Sequence, residues 1–184
     1  MSVRDLWTEV LARMAAALPE PTAPFLPGNG EADVARLERR VGRELPADFR
    51  EFLTLHGGQD DPDWLNGPLE FQHFMTVDEM IEDYGMLSEV AADFAEPQPQ
   101  PAHFAMRGWS PGWLKFASFQ NDGYAIDLSP GELGTYGQVF FRPNVPDLEP
   151  PVAPSFTAFL EALRDKLAAG EYEVCDNTLE FEGW

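Results

Sequence analysis

Three histidines, one cysteine and an aspartate set in an apolar run are the side chains of this 184-residue chain best suited to hold a metal or attack a substrate. His56, His73 and His103 are too scattered for an HExxH or paired-ligand pattern, and Cys175 alone cannot build a thiolate zinc cluster. Asp60, Asp61 and Asp63 lie close enough together to suggest calcium. An EF-hand loop counted from Asp61, however, puts Leu65 at its fifth position and Gln72 at its twelfth, where oxygen ligands belong. Gly131, Gly134 and Gly137 could cradle a phosphate, but Gln138 follows where such a loop needs a lysine, so they read as turn-formers. There is no GxSxG elbow. Asp127 could be a catalytic acid or a carboxylate that accepts backbone amides from the glycine loop after it, and the local pattern favours the acceptor. Cys175 has no activating neighbour and reads as a small semi-buried hydrophobe. His56, at a helix end, caps or packs. Trp109 and Trp113 flank Pro111-Gly112 and either form a recognition surface or anchor their loop in the core, the anchor being preferred. No catalytic residue, metal or cofactor is expected, which points away from an enzyme.

Charge narrows the partner. Lys plus Arg number 12 against 32 Asp plus Glu, a net charge of −20, and phosphate backbones are bound by cations, so nucleic acid is an unsuitable ligand. The imbalance is local as well. No base occurs from Glu51 to Met106, while Asp60, Asp61, Asp63, Asp78, Glu79, Glu82, Asp83, Glu89, Asp93 and Glu96 fall inside that stretch. Arg36, Arg39, Arg40, Arg43 and Arg50 stand just upstream. Such a block is either a solvated face that aids solubility or a surface that steers a basic protein toward it.

The elements that must position these residues follow from periodicity. Trp7, Val10, Leu11, Met14 and Leu18 give a helical apolar stripe over 2–18, closed by Pro19. Residues 19–30 read as an extended Pro- and Gly-rich connection. A second helix starts near Glu31 and ends at Gly42, and a third opens at Leu45-Pro46 and closes at Gly57-Gly58. A short strand is expected around Leu69 to Phe74. Thr76 and Glu79 form a capping box for a helix running to Phe94, with Gly85 a candidate kink. Residues 96–101 read as a polyproline-like loop. Strands are expected at 113–119, 124–128 and 138–142, with Asp122-Gly123 as a hairpin turn and one apolar strand face in Tyr124, Ile126 and Leu128. Ser155 caps a last helix ending at Gly170, and Tyr172 to Cys175 adds an edge strand. This is an α+β fold: a single domain with a small, mainly antiparallel sheet and helices packed around it. The expected organisation is an N-terminal helix and connection (1–27), the domain itself (28–172) and a tail (173–184). One cysteine precludes an internal disulfide, and the charged N-terminal helix offers no signal peptide or membrane span, so a cytoplasmic protein is expected.

The run ADVARLERRVGRELPADFREFLTLHGGQ, then Trp109-Ser110-Pro111-Gly112-Trp113, IDLSPG, GTYGQV and APSFTAFLEAL, occur in an order that resembles the cell-wall-assembly-regulator (Smi/Knr-type) branch of the SUKH superfamily. The resemblance implies helices around one central sheet and a non-enzymatic role. It implies that bacterial members act as immunity proteins against secreted toxins, many of them nucleases, and that fungal members regulate cell-wall synthesis. It supplies no catalytic motif. The leading expectation is therefore an immunity protein whose acidic surface occludes a basic toxin domain. The alternative is a cytoplasmic regulatory adaptor. Asp60, Asp61, Asp63, Glu82 and Asp83 are the expected partner contacts, while Trp109, Trp113, Asp127, Gly131, Gly134, Gly137 and Gln138 are the expected scaffold motif.

Overall fold

A computed structural model of the chain describes residues 1–60, 68–100, 102–143 and 148–181. The first half runs α1 (Val3–Ala17), β1 (Phe25–Pro27), α2 (Glu31–Val41), α3 (Ala47–Leu55), β2 (His56–Gln59), β3 (His73–Phe74) and α4 (Val77–Val90), followed by a 3-10 turn at Ala92–Phe94. The second half runs β4 (Glu96–Pro97), β5 (Met106–Arg107), β6 (Trp113–Lys115), β7 (Ala117–Ser118), β8 (Gly123–Asp127), β9 (Gln138–Arg142), α5 (Phe156–Ala169), β10 (Glu173–Cys175) and β11 (Thr178–Glu180). The α+β class expected from the pattern holds.

The helices begin and end where local chemistry dictates. Ser2 and Thr76 each cap a helix whose third residue, Asp5 or Glu79, reciprocates to the cap backbone, so free N–H groups at both starts are satisfied. Gly42 and Gly170 end α2 and α5 in the left-handed conformation, at φ 73° and 72°. Gly85 does not kink α4. The Arg40 guanidinium of α2 closes over it, 2.5 Å from where a Cβ would stand, so a larger residue there would displace the arginine tip.

At the centre lies an antiparallel sheet in the order β6-β8-β9, with Trp113, Asp127 and Gln138 abreast and Leu114, Ile126 and Val139 abreast one step along. Leu114, Ile126 and Val139 join the main core with α1, α3 and α5. Alternation puts Trp113, Ala125 and Phe140 on the opposite face, where Phe104 covers them in a second small core. The one-faced reading of β8 is thus corrected: all five of its residues are buried. Trp7 packs edge-on against Phe52 at 5.0 Å and Phe74 at 5.3 Å, so α1 belongs to the same core. The tail beyond residue 172 forms the β10–β11 hairpin, which buries Leu179 and Phe181.

Other local expectations gave way to tertiary demands. Helix α3 ends at Leu55, and Gly57-Gly58 is not its stop but part of β2, paired with β1 inside the supposed connection. Glu96–Pro97 pairs with β5 where a free polyproline-like loop was expected. The hairpin turn before β8 is Gln120-Asn121, at φ 49° and 79°, and Gly123 opens the strand because a Cβ would lie 2.0 Å from the Ala117 carbonyl oxygen. Glu70-Phe71 and Asp176-Asn177 likewise occupy positive φ at tight turns, the conformation that the mirror-image hairpin turn demands. None of the three turns uses glycine.

Gly58 combines φ 98° with a would-be Cβ 2.6 Å from the Thr76 amide. Gly58→Ala should lower stability by roughly 1–3 kcal/mol, the usual cost of a strained backbone position, as read from urea unfolding. An unchanged midpoint would show that β2 has room to shift.

Candidate protein-binding surface

The sheet's second face is unusual in carrying polar groups among its aromatics, and these fix the position of α4. Lys115 on β6 keeps only 4% of its side chain exposed, and its Nζ lies 2.7 Å from Oδ1 of Asp83 on α4. Burial holds the Lys115 amine below its ordinary range, partly offset by the Asp83 charge. Tyr84, next along α4, donates its hydroxyl to the Pro111 carbonyl at 3.0 Å. On the same sheet face Asp127 is fully buried. Its Oδ1 accepts the Ser129 amide at 2.8 Å and its Oδ2 accepts Gln138 Nε2 at 3.0 Å. Burial raises the Asp127 carboxyl above its ordinary value; the Ser129 and Gln138 hydrogen bonds, the nearby Trp113 indole N–H and the Arg43 charge pull the other way.

The expected acceptor role of Asp127 therefore takes another form, since one amide partner comes from Ser129 and the second donor is a side chain. The glycine loop packs for its own reasons. A Cβ on Gly131 or Gly134 would fall 2.2 or 2.1 Å from the carbonyl oxygens of Ala102 and His103, while Gly137 adopts φ 83°. Gln138 locks the arrangement by also donating to the His103 carbonyl at 3.0 Å and accepting the Thr135 amide at 3.0 Å. Trp109 and Trp113 are both buried, and Trp113 packs edge-on against Phe104 and Phe140.

The two cavities bordering the glycine loop include His103, Phe104 and Arg107, or Phe104, Pro130 and Gly131; Asp127 lines neither. His73 is buried with Nδ1 2.7 Å from the Ser118 carbonyl oxygen, and His56 packs 4.9 Å from the Phe25 ring. Among the described residues no three His, Cys, Asp or Glu side chains gather as metal ligands. Cys175 is exposed, contrary to the semi-buried reading, because β10 faces solvent along its whole length while its partner β11 meets the core. Desolvation, then the carboxylates of Glu180 and Asp176 and that of Glu173, raise its thiol above the ordinary value.

The acidic stretch meets solvent instead. Asp60 is exposed at the end of β2, and Glu82 is exposed on α4; Asp61 and Asp63 lie outside the described residues. Asp83 differs from its neighbour, since its carboxylate is committed to Lys115. Three of the five upstream arginines are engaged within the fold. Arg36 reaches Asp78 at 2.5 Å and Asp33 at 3.5 Å, Arg50 binds Glu31 and Glu38, and Arg40 lies 5.7 Å over the Tyr84 ring. Glu82, Glu89 and Asp93 are left exposed and make no ion pair among the described residues.

A doubly covered antiparallel sheet that holds an acidic helix outward defines a module whose largest chemical feature is a surface. The chain belongs to the SMI1/KNR4 family (SUKH-1), whose family model matches residues 28–162. It is 31% identical over 166 residues to the cell wall biosynthesis/cell cycle regulator smi1 of Schizosaccharomyces pombe, covering 80% of this chain and 33% of that protein. It is 22% identical over 188 residues to the glucan synthesis regulatory protein of Neurospora crassa, covering 82% of this chain and 35% of the relative. The chain thus spans about a third of the length of these curated relatives. Among the described residues no helix is long and apolar enough to cross a membrane.

Two acids adjacent in sequence should behave differently. Asp83→Asn strands a buried ammonium and should cost about 3 kcal/mol, the lower end for breaking a buried pair, with Lys115→Met in the same chain restoring most of it. Glu82→Gln should leave the unfolding midpoint where it was. Equal effects of the two single substitutions in urea unfolding would refute the distinction.

Asp127→Ala removes the acceptor of two buried donors and should cost roughly 1–3 kcal/mol. Its raised carboxyl also sets a sign with pH. Between 3.8 and the higher folded value the native state keeps a proton that the unfolded chain releases, so this group adds stability as pH falls through that window and withdraws it as pH rises. The Ala variant should lose that part of the slope when unfolding is followed across acidic pH; an unaltered slope would mean that Asp127 does not titrate differently on folding.

Proposed function

We propose that this chain is a regulatory adaptor of the cell-wall-regulator type, which acts by binding a basic protein partner without catalysing a reaction. The family membership and the roles for which both fungal relatives are named, one a regulator of wall biosynthesis and cell cycle and the other of glucan synthesis, carry the reading. The charge distribution supports it. A net charge of −20, with Arg36 and Arg50 paired to carboxylates of the chain and Glu82, Glu89 and Asp93 exposed, accelerates encounter with a cationic surface and makes binding salt-sensitive. A toxin-immunity role rests on the same negative charge, which a basic toxin domain would match equally. The relatives' roles favour regulation.

Deletion of the gene in its source organism should change sensitivity to wall-active inhibitors, with restoration by the native gene. Tagged full-length chain should recover endogenous basic proteins from those cells at low salt and release them as salt rises. Unchanged wall sensitivity together with rescue from a toxin encoded beside the gene would replace regulation with immunity.

A further inference from the structure

The last turns of α4 and the 3-10 turn after them expose three large apolar side chains. Met86 is 49% exposed, Val90 60% and Phe94 70%. Met86 and Val90 stand four residues apart on one face of α4, about 6 Å along its axis, and Phe94 follows at the end of the 3-10 turn to extend this exposed apolar stripe. The buried face of the same helix is a separate set, Val77, Met80 and Tyr84, so the stripe is not a core face left uncovered by a shift of the helix.

The stripe is built. The Ala91 amide bonds the Leu87 carbonyl at 2.9 Å, closing α4, and the Phe94 amide bonds the Ala91 carbonyl at 3.0 Å, which fixes the 3-10 turn that carries Phe94. Gly108, at φ 73°, then closes on the Phe94 backbone so tightly that a Cβ there would lie 2.2 Å from the Phe94 carbonyl oxygen. Glu82, Glu89 and Asp93 occupy helical positions along one border of the stripe, all of them exposed. Apolar side chains rimmed by polar ones are the usual anatomy of an interaction site.

We propose that Met86, Val90 and Phe94, bordered by Glu82, Glu89 and Asp93, form the docking site for a basic amphipathic helix of a partner protein. The partner's apolar anchors lie along the stripe, and its Lys or Arg side chains meet the three carboxylates. This rests on the protein-binding reading above and specifies the surface and the recognition mode, an amphipathic helix read through anchors at helical spacing. Charge selects the occupant. A second copy of this chain would bring its own Glu82, Glu89 and Asp93 against the first set, and like-charge contact opposes that pairing.

The test uses the full chain and a fluorescent peptide of leucines at helical spacing with lysines along one edge. A peptide of identical composition in shuffled order reports charge attraction alone. The native chain should prefer the ordered peptide, and the combined Met86→Ser, Val90→Ser and Phe94→Ser variant should bind it about tenfold or more weakly, as expected for loss of apolar anchors. The combined Glu82→Lys, Glu89→Lys and Asp93→Lys variant should turn its preference to a peptide with glutamates in place of lysines. Urea unfolding of both variants confirms that they fold, since all six positions are exposed. Equal binding of ordered and shuffled peptides, undiminished binding by the folded serine variant, or self-association of the native chain that the serines abolish would each overturn the proposal. Capture from source cells separates the two readings: partners retained equally by native chain and serine variant overturn this site and leave the adaptor function standing, whereas no partner on the native chain ends both.

Discussion

Burial of the central strand on both faces is the constraint from which the rest of the structure follows. An antiparallel strand in a small domain commonly leaves one face to water. Here β8 leaves none, so every polar group beside it requires an internal partner. Asp127 finds Ser129 and Gln138, and Gln138 in turn fixes the glycine loop through His103 and Thr135. Lys115 finds Asp83, which holds α4 against the sheet and thereby decides which side of that helix faces out.

The first face of the sheet shows the complementary requirement. Phe116 lies within 6 Å of Phe49, Phe156 and Phe159, and Trp7 carries the same edge-to-face packing toward β1 and β3. Asp48 ties α3 to the start of α5 by accepting both the Thr157 amide at 2.8 Å and its hydroxyl at 3.0 Å. A rigid interior of this kind suits a module that presents a fixed surface. The two fungal relatives are both named as regulators.

Charge is organised by the same packing. Arg36 and Arg50, on α2 and α3, pair with carboxylates at the surface of the chain and Arg40 lies over the Tyr84 ring, so part of the small complement of bases is already engaged by the fold. Net charge read from composition is therefore an average over two populations of acids. Asp83 and Asp127 are structural members of the core, whereas Glu82, Glu89 and Asp93 are surface groups.

Sequence alone determined the features whose cause lies within a turn or two of chain. The capping box at Thr76, the cap at Ser155, the glycine stops at Gly42 and Gly170 and the apolar stripe of α5 are local hydrogen-bond and periodicity effects, and all are present. The ordered fragments along the chain were also enough to indicate the family. Only the tertiary structure decided that Gly57-Gly58 forms a strand, because its partner lies 30 residues upstream around Phe25–Pro27. The turns at Glu70-Phe71 and Gln120-Asn121 were invisible without glycine, since their positive φ is imposed by strands on either side. Local sequence could not separate Asp83 from Glu82, or show that Met86, Val90 and Phe94 face solvent. Those distinctions are set by Lys115 and by the sheet against which α4 rests, contacts between residues far apart along the chain, to which residue spacing is blind.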